Sequence, residues 1–145
     1  MHEIYACLEQ KKTLITEIMN LTQKIELRTR EPEIELDSLL DLRGAYISRV
    51  DKCDHLMLNL SKSLPEEQQK RLQQIFSAEL PEKDCTDEER PLLQLVKECN
   101  SILQEAAVVD KAARDAILAQ CNDLREKINQ SRKTENQKAM YNNIR

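Results

Sequence analysis

The sequence is poor in the residues that make turns and sheets: of 145 residues one is Gly, four are Pro, one is Phe, three are Tyr and none is Trp. Strands draw on aromatic and β-branched residues and tight turns on Gly, so this shortage argues against a sheet-rich fold. The sequence also lacks a Gly-rich phosphate loop and a G-x-S-x-G elbow, two common marks of nucleotide-binding and hydrolytic sites. Apolar runs stop at about five residues, against the roughly 18 to 20 of a membrane span. The N-terminal MHEIYACLEQKK has acids and polar groups where a signal peptide would be apolar. Cys7, Cys53, Cys85, Cys99 and Cys121 include no Cys-x-x-Cys pair and are odd in number, so they are expected to be reduced thiols. These absences together predict a soluble, cytoplasmic protein that does not span a membrane.

What is present suits long helices. Charged residues make up 33% and hydrophobic ones 40%, with Leu, Glu, Lys, Gln and Ala prominent. The net charge of −4 is unevenly spread. Residues 125–145 hold six Lys/Arg against two Glu, or +4, which leaves −8 for residues 1–124.

Ile4, Cys7, Leu14, Ile18, Leu21 and Ile25 recur at helical steps, with Leu8 and Ile15 widening the stripe and Lys11 interrupting it. This predicts a helix over 4–28 that ends before Pro32. A second helix is expected from Leu36 or Asp37 to about Ser63, with Leu39, Tyr46, Cys53 and Leu60 one heptad apart. Arg43 interrupts its companion positions, and Gly44 beside it suggests a close backbone approach or a bend. SLPEEQQKRLQQIF reads as a short helix capped by Ser63 and Glu66. After an acidic, Pro-broken loop, Thr86 and Glu89 have the spacing to cap a last helix. Its stripe, from Leu92 through Val96, Cys99 and Leu103 to Leu124 and Ile128, has Asp110 as its polar interruption and implies some 35 to 40 helical residues, roughly 55 to 60 Å long. Beyond Ile128 the stripe is lost, and 129–145 is expected to be a flexible basic tail of a single helical domain.

The stretch VDKCDHL brings Asp51, Cys53, Asp54 and His55 close in sequence, which raises the possibility of a metal site. On a helix Asp51, Asp54 and His55 share a face, whereas Cys53 points along the apolar stripe, so the four do not converge. A solvated polar face is the expected outcome, and no metal or cofactor is predicted. Six cations over 21 residues beside an acidic body make a weak footprint for nucleic acid, so none is expected as a partner.

With its helices placed, the chain resembles the FlgN family of flagellar type III export chaperones, and FliT-type chaperones share the same outline. The resemblance rests on LEQKKTLITEIMNLTQKIE, on LDSLLDLRGAYISRVDKCDHL and on the last helix with its polar tail, LREKINQSRKTENQKAMYNNI. It implies a non-enzymatic protein that binds hook-associated flagellar proteins before secretion and meets components of the export apparatus at release. Carried onto this sequence by position, the binding surface is Leu124, Ile128, Met140, Tyr141 and Ile144. The expected fold is all-α: an elongated antiparallel helical bundle or coiled-coil hairpin of three long helices and one short one. A self-associating structural bundle is the alternative, and a homodimer fits either.

Overall fold

The structure, a computed structural model, describes the backbone of residues 1–144 and the side chains of 1–142. Among these residues there are four α-helices and no strand: α1 His2–Arg28, α2 Asp37–Lys62, α3 Glu66–Phe76 and α4 Glu89–Ile144, with a 3₁₀ turn at Glu82–Asp84. The starts and ends of α1 and α2 fall within a residue or two of where apolar periodicity places them, because each helix keeps an apolar stripe toward its neighbour along its whole length.

α1 is the helix most deeply buried along its length. It buries Ile4, Leu8, Leu14, Ile15, Ile18, Leu21 and Ile25, whereas α2 buries a single large apolar side chain, Met57. The stripe of Leu39, Tyr46, Cys53 and Leu60 on α2 is only half-buried. α1 packs closely on both α2 and α4, while α2 and α4 scarcely touch each other. Polar contacts give the directions. Lys11 Nζ lies 2.7 Å from Asp54 and Arg43 Nη1 lies 3.3 Å from Thr22, so α1 and α2 are antiparallel. Lys12 Nζ lies 2.7 Å from Glu98, and Gln120 Nε2 donates to the Thr29 carbonyl at 3.0 Å, so α4 runs parallel to α1.

α2 and α4 thus pack on two sides of α1 without packing on each other, and the groove between them is a fourth corner of the bundle. α3 contacts both α2 and α4 and fills one end of the fourth corner, with Leu72 and Ile75 fully buried.

The caps divide. Thr86 and Glu89 form the expected box: the Thr86 N–H donates to Glu89 Oε1 at 2.9 Å and the Glu89 N–H donates to Thr86 Oγ1 at 3.3 Å. Arg71 of α3 closes on the same carboxylate with two hydrogen bonds of 2.8 Å. The Ser63/Glu66 box does not form. Ser63 instead donates to the Leu60 carbonyl at 2.8 Å, finishing α2, and α3 begins after Pro65 without a side-chain cap. Gly44 also departs from expectation, since a Cβ built there meets nothing within 4 Å. No other backbone approaches it closely.

α4 is far longer than its stripe implied, 56 residues, or about 84 Å at the usual helical rise. The apolar pattern does not mark where α4 ends. Lys, Glu, Gln, Arg and Ala past Ile128 are strong helix formers that need no buried face.

Two backbone positions invite reciprocal changes. Gly44→Ala is expected to raise stability by about 0.5–1 kcal/mol through helix propensity. Ala78 ends α3 with φ 57°, the left-handed region, so Ala78→Gly should add about 1 kcal/mol. Urea unfolding followed by circular dichroism measures both.

Glu89 supplies a pH signature. The Arg71 guanidinium, helped by the Thr86 donors, holds its carboxyl at about 2 against an ordinary value of 4.5. A depressed carboxylate stabilises the fold above its unfolded pKa and loses that contribution as pH falls through the folded value, so the window is pH 4.5 down to about 2. The stability gap between wild type and Glu89→Gln should be about 1.5–3 kcal/mol at pH 7 and shrink across that window. A gap independent of pH would show that the Arg71 contact does not stabilise the fold through the Glu89 charge.

Candidate functional site

The contact between α1 and α4 ends where Gln120 reaches Thr29 at the end of α1. Beyond it every described residue of α4, from Cys121 to Asn142, is exposed. A run of 24 residues from 121 to 144 therefore leaves the bundle as an extension of about 36 Å. It carries Leu124 at 59% exposure, Ile128 at 50%, Met140 at 65% and Tyr141 at 61%.

These positions do not form one face. At roughly 100° per residue, Leu124 and Ile128 lie about 40° apart, whereas Met140 and Tyr141 are turned about 100–160° away from them. The side chain of Ile144 lies outside the described residues. Leu124 and Ile128 instead continue the line of Leu103, Ala107, Asp110, Arg114, Ile117 and Cys121. The steps along that line alternate between four and three, the spacing of a coiled-coil seam.

Sequence reasoning missed a second apolar row. Leu40, Ile47 and Leu58 on α2 are 40–53% exposed and sit roughly 80–100° round the helix from the buried Met57. On α4, Leu103 and Ala107 sit roughly 60–120° round from Ala106 and Ala113, which are buried. Both rows border the open part of the fourth corner. The signal was available in the doubled apolar positions Leu39-Leu40, Tyr46-Ile47 and Met57-Leu58, whose second members broaden the α2 stripe on one side.

At its α3 end this corner narrows to a cleft of about 340 Å³ lined by Leu8, Met57, Leu58, Phe76, Val96 and Cys99, with the Lys11–Asp54 ion pair among its walls. Its floor farther along is polar. Arg43 Nη1 donates to Asp110 at 2.9 Å as well as to Thr22, and Arg114 Nε lies 3.1 Å from the same Asp110 carboxylate.

The residues of VDKCDHL diverge. Asp54 is paired with Lys11, the His55 Nδ1 sits 3.0 Å from the Asp51 carbonyl, and Cys53 is half-buried. Among the described residues no group of three or more His, Cys, Asp or Glu could hold a metal ion. Burial pushes the thiols of Cys7, Cys53, Cys85 and Cys99 up, away from the thiolate a nucleophile needs. No buried side-chain N or O among the described residues lacks a hydrogen-bond partner, so none is held in reserve for a polar ligand. The arrangement is suited to apolar contact with another helix. No described helix is long and apolar enough to cross a membrane.

No protein-family model, no curated protein and no solved structure matches the chain.

The exposed row and the core should respond differently to charge. Leu124→Asp with Ile128→Asp is expected to leave the unfolding midpoint within about 0.5 kcal/mol of wild type. Ile15→Ala, at a site 1% exposed, should cost about 2–5 kcal/mol. If the double aspartate variant melts as early as Ile15→Ala, Leu124 and Ile128 belong to the core.

Proposed function

We propose that this chain is a non-enzymatic export chaperone of the flagellar type III kind, an elongated bundle of three long helices and one short one in which α2 runs antiparallel to α1 and α4. It holds hook-associated proteins in the cytoplasm and yields them to the export apparatus. The observation that carries this reading is the α4 extension, an isolated helix with exposed apolar side chains at Leu124, Ile128, Met140 and Tyr141. Large apolar groups on a helix without a packing partner form a surface for an amphipathic helix, which lays its own apolar face along it.

The two separated faces of the extension suit a client that wraps it rather than one that lies straight along it. A client's disordered, amphipathic end pays its ordering entropy at binding, which keeps the complex weak enough to release. The stretch from 129 to 144, helical but unsupported by the bundle, gains packing contacts in the same step. Nucleic acid has no role in this scheme, since the bundle that carries the extension is acidic.

A second reading, a self-associating structural adaptor, is favoured by the seam from Leu103 to Ile128, which is as suited to another copy as to a client.

The test is a pull-down from flagellated cells with the full chain and with a version ending at Ile128. Recovery of hook-associated proteins that falls at least tenfold on truncation supports the chaperone reading and places Met140 and Tyr141 in its surface. Recovery of nothing but the chain itself sinks that reading and leaves the adaptor.

A further inference from the structure

The open fourth corner and the α4 extension match each other in shape, chemistry and charge. We propose that two copies of the chain pair through antiparallel α4 helices, each extension filling the vacant fourth-helix position of the other copy's bundle.

Length is the first match. With the twofold axis between Arg114 and Ile117, Leu103 of one copy meets Ile128 of the other, and Ala107 meets Leu124. The seam of the extension stops at Ile128, and Met140 and Tyr141 lie on another face. The open corner stops at the same level, because α3 takes over beyond Leu103, where Phe76, Val96 and Asn100 line the cleft. The residues from 129 onward then run out along the outside.

Apolar surface is the second match. The incoming Ile117, Leu124 and Ile128 face Leu103 on α4 and the half-exposed Leu40 and Ile47 on α2. The pairing is isologous, so every such contact occurs twice.

Charge selects the direction. Residues 1–120 carry 16 Lys/Arg against 23 Asp/Glu, a net −7, and residues 121–145 carry six against three, a net +3. Antiparallel pairing seats the neutral stretch 121–128, with two Lys/Arg against two Asp/Glu, and carries the +3 of residues 129–145 along the outside of a −7 bundle. Parallel pairing would set extension beside extension and bundle beside bundle, like charge on like along the whole length.

The inference does not rest on the chaperone reading, although a client bound at Leu124 and Ile128 would compete with the second copy. Mass measured without any client therefore tests it separately.

The experiment is analytical ultracentrifugation of the full chain, combined with cysteine cross-linking. A twofold here separates the two Cys121 residues by about 16 Å along the axis, beyond the roughly 7 Å between Cα atoms that a disulfide spans. The expected results are a dimer whose dissociation constant rises at least fivefold between about 50 mM and 500 mM salt, and no Cys121 cross-link under mild oxidation. Ala107→Cys with Leu124→Cys, in a Cys121→Ser background, should give a covalent dimer. Leu124→Asp with Ile128→Asp should give a monomer of unchanged helicity. A wild-type chain that stays monomeric at about 100 μM, well above the dissociation constants of specific complexes, overturns the proposal. So does a dimer linked through Cys121, or one that survives the double aspartate change.

Discussion

The structure depends on one helix being buried from two sides. α1 has enough apolar side chains to cover two neighbours, and α2 and α4 each pack on it rather than on each other. Two-sided burial makes α1 the spine and leaves its partners with partly uncovered faces. The half-buried stripe of α2 and the exposed row from Leu103 to Ile128 are consequences of that asymmetry. A three-helix arrangement in which α2 and α4 met would have closed the corner and covered Leu40, Ile47 and Leu103.

The polar interruptions of the stripes explain one another. Lys11 breaks the α1 pattern, Arg43 the α2 pattern and Asp110 the α4 pattern, and each is ion-paired across helices: Lys11 with Asp54, and Arg43 with Asp110. Both pairs are partly exposed, so their net contribution to stability is small. Their effect is on register. Sliding a helix by one turn would leave a charge against an apolar row, which penalises alternative alignments more than the pairs reward the native one. From sequence each looked like a defect in its own stripe, because partner and distance are properties of the packing.

Legibility in the sequence followed the same line. Where burial imposes periodicity, as from Ile4 to Ile25 and from Leu92 to Ala113, the helices were readable within a residue or two. So was the Thr86/Glu89 cap, whose chemistry is local. Three features were not readable. The length of α4 is governed by helix propensity without burial, and a pattern of apolar residues cannot report it. The parallel course of α1 and α4 is set by α3 and its flanking turns, which return the chain to the starting end. Leu124 and Ile128 of the candidate surface are exposed apolar residues on one face. Joining them to Met140 and Tyr141 ignored the helical phase over 12 or more residues, which puts the two pairs on different faces of a continuous helix.

An uncovered seam of this kind is tolerable in a free chain because it is diluted. Asp110 and Arg114 sit in its middle, and Arg125, Lys127, Arg132 and Lys133 surround its end, so apolar residues never form the broad patch that drives aggregation. The same dilution limits how tightly anything binds. A half-exposed Leu or Ile has only part of its roughly 1.5–3 kcal/mol of burial left to gain. A few such residues from each side offer a gain of the same order as the roughly 4–15 kcal/mol lost when two chains associate. Small electrostatic contributions then decide the balance, which is why the opposite charges of bundle and extension matter more here than they would at an oily interface. A surface built this way exchanges its occupant readily, whether that occupant is a client helix or a second copy.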